Sequence, residues 1–131
     1  MKRPDAGEGP SRPRILLVDD YDDTRELFAT VLETSGFEVI QADCGEKALE
    51  LATELLPDLV ITDLSLPDID GCALTRSIKK CDRTSRIPVV ALSAHGSYSK
   101  MREAIEAGCV TFVPKSRSPR YLAEEIRRLM G

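Results

Sequence analysis

The chain has 131 residues, of which 42% are hydrophobic and 31% are charged, a balance typical of one globular domain with its own core. The formal net charge of −4 argues against nucleic acid as a direct partner, because phosphate binding requires a basic surface. No apolar stretch is long enough for a membrane helix or a signal peptide, so we expect a cytoplasmic protein that does not bind membranes.

Residues 1–13 contain three of the eight prolines and show no apolar periodicity. They predict a disordered leader, followed by one folded domain over residues 14–131. From Arg14 onward, short apolar runs alternate with stretches of helical periodicity. The runs predict strands near residues 14–19, 37–42, 58–63, 87–92 and 110–113. The stretches between and after them predict helices over residues 22–35, 45–56, 71–80, 97–107 and 118–130.

This order is a fivefold repeat of strand and helix, which places the chain in the α/β class. The first, third and fourth runs are almost continuously apolar, as parallel strands covered by helices on both faces are. Right-handed crossovers then produce an open, doubly wound parallel sheet with helices on both sides. The pattern contains no second domain.

Polar residues follow four of the predicted strands at their carboxyl ends. They are Asp19 and Asp20 after the first strand, Asp63 after the third, Ser93 after the fourth and Lys115 after the fifth. In a doubly wound sheet these ends line a single crevice. At an effective dielectric of about 20, each close pair of carboxylates costs roughly 4 kcal/mol, and a divalent cation removes this cost. Oxygen ligands suit Mg²⁺, with Mn²⁺ as an alternative.

Such a site favours phosphoryl chemistry. With the metal held by two carboxylates, the third can attack a phosphoryl group and form an aspartyl phosphate. The added negative charge of that product requires a nearby cation and a hydroxyl donor, which Lys115 and Ser93 supply. Asp63 ends a buried strand just before a turn marked by Pro67 and Gly71, which places its carboxylate at the edge of the sheet where ligands bind.

These residues together resemble the receiver domain of two-component response regulators, over residues 14–131. The resemblance rests on the acid pair Asp19-Asp20, the block Asp63-x-x-x-Pro67-x-x-Asp70-Gly71, the hydroxyl in Leu92-Ser93-Ala94, and Lys115. It implies a flavodoxin-like sheet of five strands in the order 2-1-3-4-5. It also implies that Asp63 accepts its phosphoryl group from the histidine of a histidine kinase or a histidine phosphotransfer protein.

The resemblance also implies roles for individual residues. Asp20 and Asp63 would ligate Mg²⁺ through their side chains, Asp19 partly through water, and Ser65 through its backbone carbonyl. On phosphorylation Ser93 would move toward the phosphoryl oxygens and Phe112 would turn into the vacated space. This switch would bias a face formed by the fourth helix, fifth strand and fifth helix, which would bind a downstream target protein. We expect a monomer, with a weak dimer through that face as the alternative.

One loop departs from the family pattern. In the family a proline usually follows the lysine, often through a cis bond, whereas here Pro114 precedes Lys115 and Ser116 follows it. We therefore expect no cis Lys-Pro bond, and a loop that is more mobile or differently aimed than in the family.

Two other functions match parts of this pattern. A phosphohydrolase of the haloacid dehalogenase type also uses an aspartate nucleophile, but it requires a second aspartate at the position of Ser65. A pseudo-receiver would act only as a binding module, and the intact set of strand-end residues argues against it. We therefore expect no enzymatic turnover beyond self-phosphorylation and slow autodephosphorylation.

Several residues have simpler interpretations. The stretch from Asp68 to Gly71 does not match a calcium-binding loop, and Asp70-Gly71 is typical of a turn and helix start. His95 is expected to be an exposed loop residue, although it or the Ser65 side chain could tune attack of water on the phosphoryl group. Ordinary core positions are predicted for Met101, Ile105 and Phe112.

The four cysteines show no C-x-x-C spacing, and with a single histidine in the chain a zinc site is not expected. They could form two disulfides, but we expect reduced thiols that serve as small core or surface residues. They are Cys44, Cys72, Cys81 and Cys109.

Overall fold

A computed structural model describes residues 12–94 and 98–131, and it contains five strands and five helices in strict alternation within these ranges. The strands are β1 (Arg14–Val18), β2 (Glu38–Ala42), β3 (Leu59–Asp63), β4 (Val89–Ser93) and β5 (Thr111–Pro114). The helices are α1 (Asp22–Thr34), α2 (Gly45–Leu55), α3 (Gly71–Lys80), α4 (Tyr98–Ala107) and α5 (Pro119–Met130). The predicted elements are all present, with ends shifted by at most a few residues.

All neighbouring strands are parallel, and their order in the sheet is β2-β1-β3-β4-β5. This confirms the predicted flavodoxin-like fold. β3 and β4 are buried at every position, whereas β2, at one edge, is mostly half-buried. The continuous apolar runs in the sequence therefore correspond to the central strands, which helices cover on both faces.

The sheet separates two apolar clusters, because successive side chains of a strand point to opposite faces. In β1, Leu16 and Val18 belong to the cluster under α2, α3 and α4. Ile15 and Leu17 belong to the cluster under α1 and α5. Both clusters reach the residues that precede the site, because Val18 comes directly before Asp19 and Leu92 directly before Ser93.

Three helix ends carry residues that are typical of helix starts and stops. Gly36 and Gly108 follow α1 and α4 and adopt φ values of +104° and +119°, which glycine tolerates without strain. The Ser118 hydroxyl accepts a hydrogen bond from the Tyr121 N–H, with Pro119 as the first residue of α5. None of the helices in the described ranges combines the length and apolar composition that a membrane span requires.

The four cysteines are free thiols. Cys72 and Cys109 are buried, as expected of small core residues, and burial raises the pKa of the Cys72 thiol to about 11.

The prediction that Met101 and Ile105 are ordinary core residues was wrong. The exposed fractions of Met101 and Ile105 are 38% and 45%. The buried residues of α4 are Ala104 and Ala107. Phe112 is half-buried: it packs against the cluster under α2, α3 and α4 and also lines an open groove with Met101 and Ile105.

Two predictions fall wholly or largely outside the described residues. His95 is not among them, and neither are residues 1–11 of the predicted leader.

Candidate functional site

Three carboxylates meet at the carboxyl edge of the sheet. Val18 of β1 pairs with Thr62 of β3, so the next residues, Asp19 and Asp63, are side by side. Asp19 is fully buried and Asp63 almost so, while Asp20 is exposed at the mouth of the site. Each of the three offers a carboxylate oxygen, and these oxygens lie within 4.8 Å of one another. The structure thus brings together the three acids that the sequence predicted to share a pocket.

Lys115 reaches this cluster from the end of β5. Its Nζ lies 2.9 Å from Asp19 Oδ2 and 2.9 Å from Asp63 Oδ2. Its backbone is held as well, because the Lys115 N–H donates to the Ser93 carbonyl at 2.7 Å. Burial acts to lower the pKa of Lys115, but its hydrogen bond to Asp63, its close contact with Asp19 and the charges of both acids outweigh burial, so the pKa is raised. The lysine is therefore a fixed positive charge.

The cluster suits a divalent cation. Three carboxylates against one ammonium leave two formal negative charges, which one Mg²⁺ would balance. Asp19 Oδ2 is buried and accepts no hydrogen bond from the described residues, so its contact with Lys115 is an ion pair only. Carboxylate oxygens with open coordination positions are the donors that Mg²⁺ prefers. The residues present therefore fit the metal that the sequence predicted.

Asp63 is held by the loop that follows it. Its Oδ1 accepts a hydrogen bond from the Ser65 N–H at 3.1 Å, while Ser65 itself is exposed. The Gly71 N–H donates to the Leu64 carbonyl at 2.9 Å and closes the loop. A Cβ atom at Gly71 would lie 2.3 Å from the Asp63 carbonyl oxygen, so only glycine allows α3 to begin this close to the acid.

Asp70 caps α3, because its Oδ1 accepts a hydrogen bond from the Ala73 N–H at 2.8 Å. This confirms the predicted turn and helix start at Asp70-Gly71.

The predicted hydroxyl and aromatic residues occupy neighbouring strands. Ser93 is buried at the end of β4, one residue beyond Leu92, which pairs with Asp63. Phe112 in β5 pairs with Ala91, so it lies two residues below the level of Ser93 and Pro114. Ser93 is therefore at the site edge, and Phe112 is between that edge and the groove along α4.

The chain after Lys115 forms a closed turn. The Arg117 N–H donates to the Pro114 carbonyl at 3.1 Å, and the Arg117 guanidinium lies 3.8 Å from the centre of the Tyr121 ring. The described residues contain no cis peptide bond. The turn therefore replaces the family's Lys-Pro geometry, while the mobility of the loop stays a prediction.

Two residues that support the site were missed from the sequence. The Arg25 guanidinium of α1 donates to the Asp19 carbonyl at 2.7 Å, to Asp22 Oδ1 at 2.8 Å and to Gln41 Oε1 at 2.9 Å. It thereby fixes the backbone of the acid pair to β2. Asp68 binds the first residues of α2 through its carboxylate. Both residues act on partners in other elements, and the only signal in the sequence was their closeness to the predicted acids.

Comparisons with known proteins agree with this geometry. The family model described as the response regulator receiver domain matches residues 15–127. The polar-differentiation response regulator DivK of Brucella anthropi is 33% identical over 118 residues, which cover 89% of this chain and 95% of that protein.

Solved structures give the same result. A two-component response regulator of the LuxR family from Aurantimonas sp. SI85-9A1 has a TM-score of 0.84 and 32% identity, over 91% of this chain and 85% of that one. A CheY-like receiver domain protein from Methanospirillum hungatei JF-1 has a TM-score of 0.83 and 26% identity, over 90% and 93%.

Proposed function

The chain belongs to the response regulator receiver domain family, and on that premise we propose that Asp63 is the phosphoacceptor of a cytoplasmic two-component phosphorelay. The donor is a phosphohistidine on a histidine kinase or histidine phosphotransfer protein. The observation that carries the proposal is the cluster of Asp19, Asp20 and Asp63, of which Asp19 and Asp63 pair with the Lys115 ammonium. The protein accepts and slowly loses one phosphoryl group and does not turn over a separate substrate.

In the reaction, a carboxylate oxygen of Asp63 forms a bond to phosphorus while the bond from phosphorus to the histidine nitrogen breaks. The electron pair of that bond returns to the imidazole, and the product is a mixed anhydride. Mg²⁺, held by Asp19, Asp20, Asp63 and the Ser65 carbonyl, would supply positive charge to the phosphoryl oxygens. Among the residues of this chain, Asp63 is the nucleophile, and the Ser65 N–H and the Lys115 ammonium hold its carboxylate at the strand end.

Lys115 then changes partner. In the unphosphorylated protein its ammonium binds Asp63 Oδ2, and in the product it balances a phosphoryl oxygen, as a charge-assisted hydrogen bond favours. Ser93 donates its hydroxyl to a second phosphoryl oxygen from the neighbouring strand. Phe112, already half-buried, moves into the space beside Ser93. Phosphorylation of Asp63 thereby changes the position of a side chain in β5.

The output surface is the face formed by α4, β5 and α5. It has an open groove along α4 and β5 in which four large apolar side chains are exposed, and apolar area in such patches favours protein partners. They are Tyr98, Met101, Ile105 and Val110. A downstream target protein binds this face when Phe112 changes position, and the receiver itself is a monomer or weak dimer.

Intact-mass measurement tests the proposal. The protein is incubated with Mg²⁺ and a small acyl phosphate, and we expect one labile phosphoryl adduct that is absent from Asp63→Ala. Asp70→Ala is the matched control, because Asp70 is a nearby acid that caps α3, and this variant should keep the adduct. An adduct that persists in Asp63→Ala would sink the assignment. Repeated hydrolysis of a phosphate ester would indicate a phosphohydrolase, and no adduct with any donor a pseudo-receiver.

A further inference from the structure

Helix α2 begins without a cap from its own N-cap residue. Cys44 occupies that position in an extended conformation, and its side chain makes no capping hydrogen bond. The carboxylate of Asp68 takes its place: Oδ1 accepts from the Gly45 N–H and Oδ2 from the Glu46 N–H, both at 2.8 Å. A residue of the loop between β3 and α3 therefore caps a helix that begins 23 positions earlier.

The hydrogen bonds at the start of α2 favour the ionised form of Asp68. Asp68 Oδ1 also accepts from the Ile69 N–H at 2.9 Å, so three backbone donors point at one carboxylate. Hydrogen bonds from Gly45 and Glu46 lower the pKa of Asp68, although the side chain is exposed. The positive end of the α2 dipole favours the same charge.

A second contact joins the same two elements. A Cβ atom at Gly45 would lie 2.4 Å from Cγ1 of Ile69, so the Ile69 side chain packs directly against the backbone at the start of α2. Charge and packing therefore hold the middle of the β3–α3 loop, whose two ends are already held by Ser65 and Gly71.

We propose that Asp68 is a positioning residue for the metal site. By capping α2 it holds the β3–α3 loop, and through the loop it sets the place of the Ser65 carbonyl beside Asp19, Asp20 and Asp63. The inference rests on the proposed function, because it takes the three acids and that carbonyl as the Mg²⁺ ligands. Asp68 itself does not touch the metal.

The competing explanation is that Asp68 only stabilises α2. The chain allows these roles to be separated, because Cys44 already has the extended backbone of an N-cap residue. A serine hydroxyl at position 44 can accept a hydrogen bond from the first turn of α2 and so replace the cap that Asp68 provides. Asp68 is then no longer needed for the stability of α2. The double variant Cys44→Ser with Asp68→Ala therefore restores the cap but not the link to the loop.

The test compares Mg²⁺ affinity with thermal stability in four proteins: the unmodified chain, Asp68→Ala, the double variant and Ser118→Ala. Affinity is measured by calorimetric titration, and Tm is measured with the metal chelated. For Asp68→Ala we expect a lower Tm and about tenfold weaker Mg²⁺ binding, as loss of an outer partner of a metal ligand typically causes. In the double variant the Tm recovers but the affinity stays weak.

Ser118→Ala removes the cap of α5, which is outside the loop, so it should lower Tm and leave Mg²⁺ affinity unchanged. If Asp68→Ala fails to fold, Asp68→Asn keeps one acceptor oxygen and should weaken Mg²⁺ binding in the same direction. Unchanged affinity in Asp68→Ala, or recovery of both properties in the double variant, would overturn the inference. Failure of the unmodified chain to bind Mg²⁺ would instead overturn the proposed function.

Discussion

At the scale of the residue, charge balance in the site depends on Lys115. Its ammonium is the group that meets both Asp19 and Asp63, and Asp19 is fully buried. A buried carboxylate that loses its cation is strongly destabilising, because water cannot replace the missing charge. Removal of Lys115 should therefore affect folding as well as signalling.

Lys115→Met tests this charge balance. We expect the free energy of unfolding to fall by about 3 kcal/mol when the metal is chelated, the lower end for a broken buried pair. Saturating Mg²⁺ should reduce that deficit, because the cation then compensates Asp19 and Asp63. Urea denaturation with and without Mg²⁺ measures both effects. Lys100→Met, which removes a surface pair with Glu103, should change stability little; equal stability of Lys115→Met and the unmodified chain in chelator would contradict the prediction.

The predicted residues and the missed ones differ in a physical way. Asp19, Asp63, Ser93 and Lys115 could be found because each lies at or directly after the carboxyl end of a strand, and parallel strands bring these ends to one edge. Arg25 and Asp68 act through hydrogen bonds that reach another element, β2 at Gln41 for Arg25 and the start of α2 for Asp68. No local periodicity specifies such partners, so the sequence alone did not indicate these two supports.

At the scale of the element, the start of α3 is pressed against the end of β3. The nearest atoms to a Cβ at Gly71 would be backbone atoms of Asp63 and Leu64, at distances down to 2.3 Å. Backbone at a strand end cannot move aside as a side chain can, so this contact restricts position 71 to glycine.

Gly71→Ala should therefore disturb Asp63 directly. We expect a loss of about 2 kcal/mol in the free energy of unfolding, as forced overpacking typically costs, together with slower phosphorylation. Chemical denaturation and the rate of adduct formation provide the measurements. Gly45→Ala is the comparison, because there the closest atom belongs to the Ile69 side chain and Ile69→Ala should relieve it. A Gly71→Ala protein as stable and reactive as the unmodified chain would refute the argument.

The sequence predicted the burial of an element most clearly where other elements cover it on both faces. β3 and β4 are buried at every position because helices cover both faces, and the sequence shows this as apolar runs that turn polar only toward the carboxyl ends of the strands. α4 was predicted as a helix, but Met101 and Ile105 were wrongly assigned to the core. Helical spacing identifies an apolar face, and it does not reveal whether another element covers that face.

At the scale of the whole molecule, one sheet supports both the core and the site. The two clusters pack against opposite faces of the same strands, and the acids lie at the carboxyl edge of those strands. Any ligand bound at that edge stabilises the entire fold, because it binds the native state and not the unfolded chain.

Mg²⁺ should therefore raise the stability of the protein. At a concentration of 100 times Kd the expected gain is about 2.7 kcal/mol, and chelation should remove it. Asp20→Asn should lose most of this gain yet change stability in chelator by no more than about 0.5 kcal/mol, because Asp20 is exposed. Thermal unfolding at increasing Mg²⁺ provides the measurement, with the exposed Asp23→Asn as control. A full Mg²⁺ effect in Asp20→Asn would exclude Asp20 as a ligand.

The late position of Lys115 has a consequence for biosynthesis. Lys115 lies 52 residues after Asp63 and directly follows β5, the last strand in chain order. A nascent chain on the ribosome therefore exposes its acids well before the ammonium that neutralises them is made. A chain truncated before residue 115 lacks this ammonium, so we expect its carboxyl edge to be less stable and more accessible to proteases than that of the full chain.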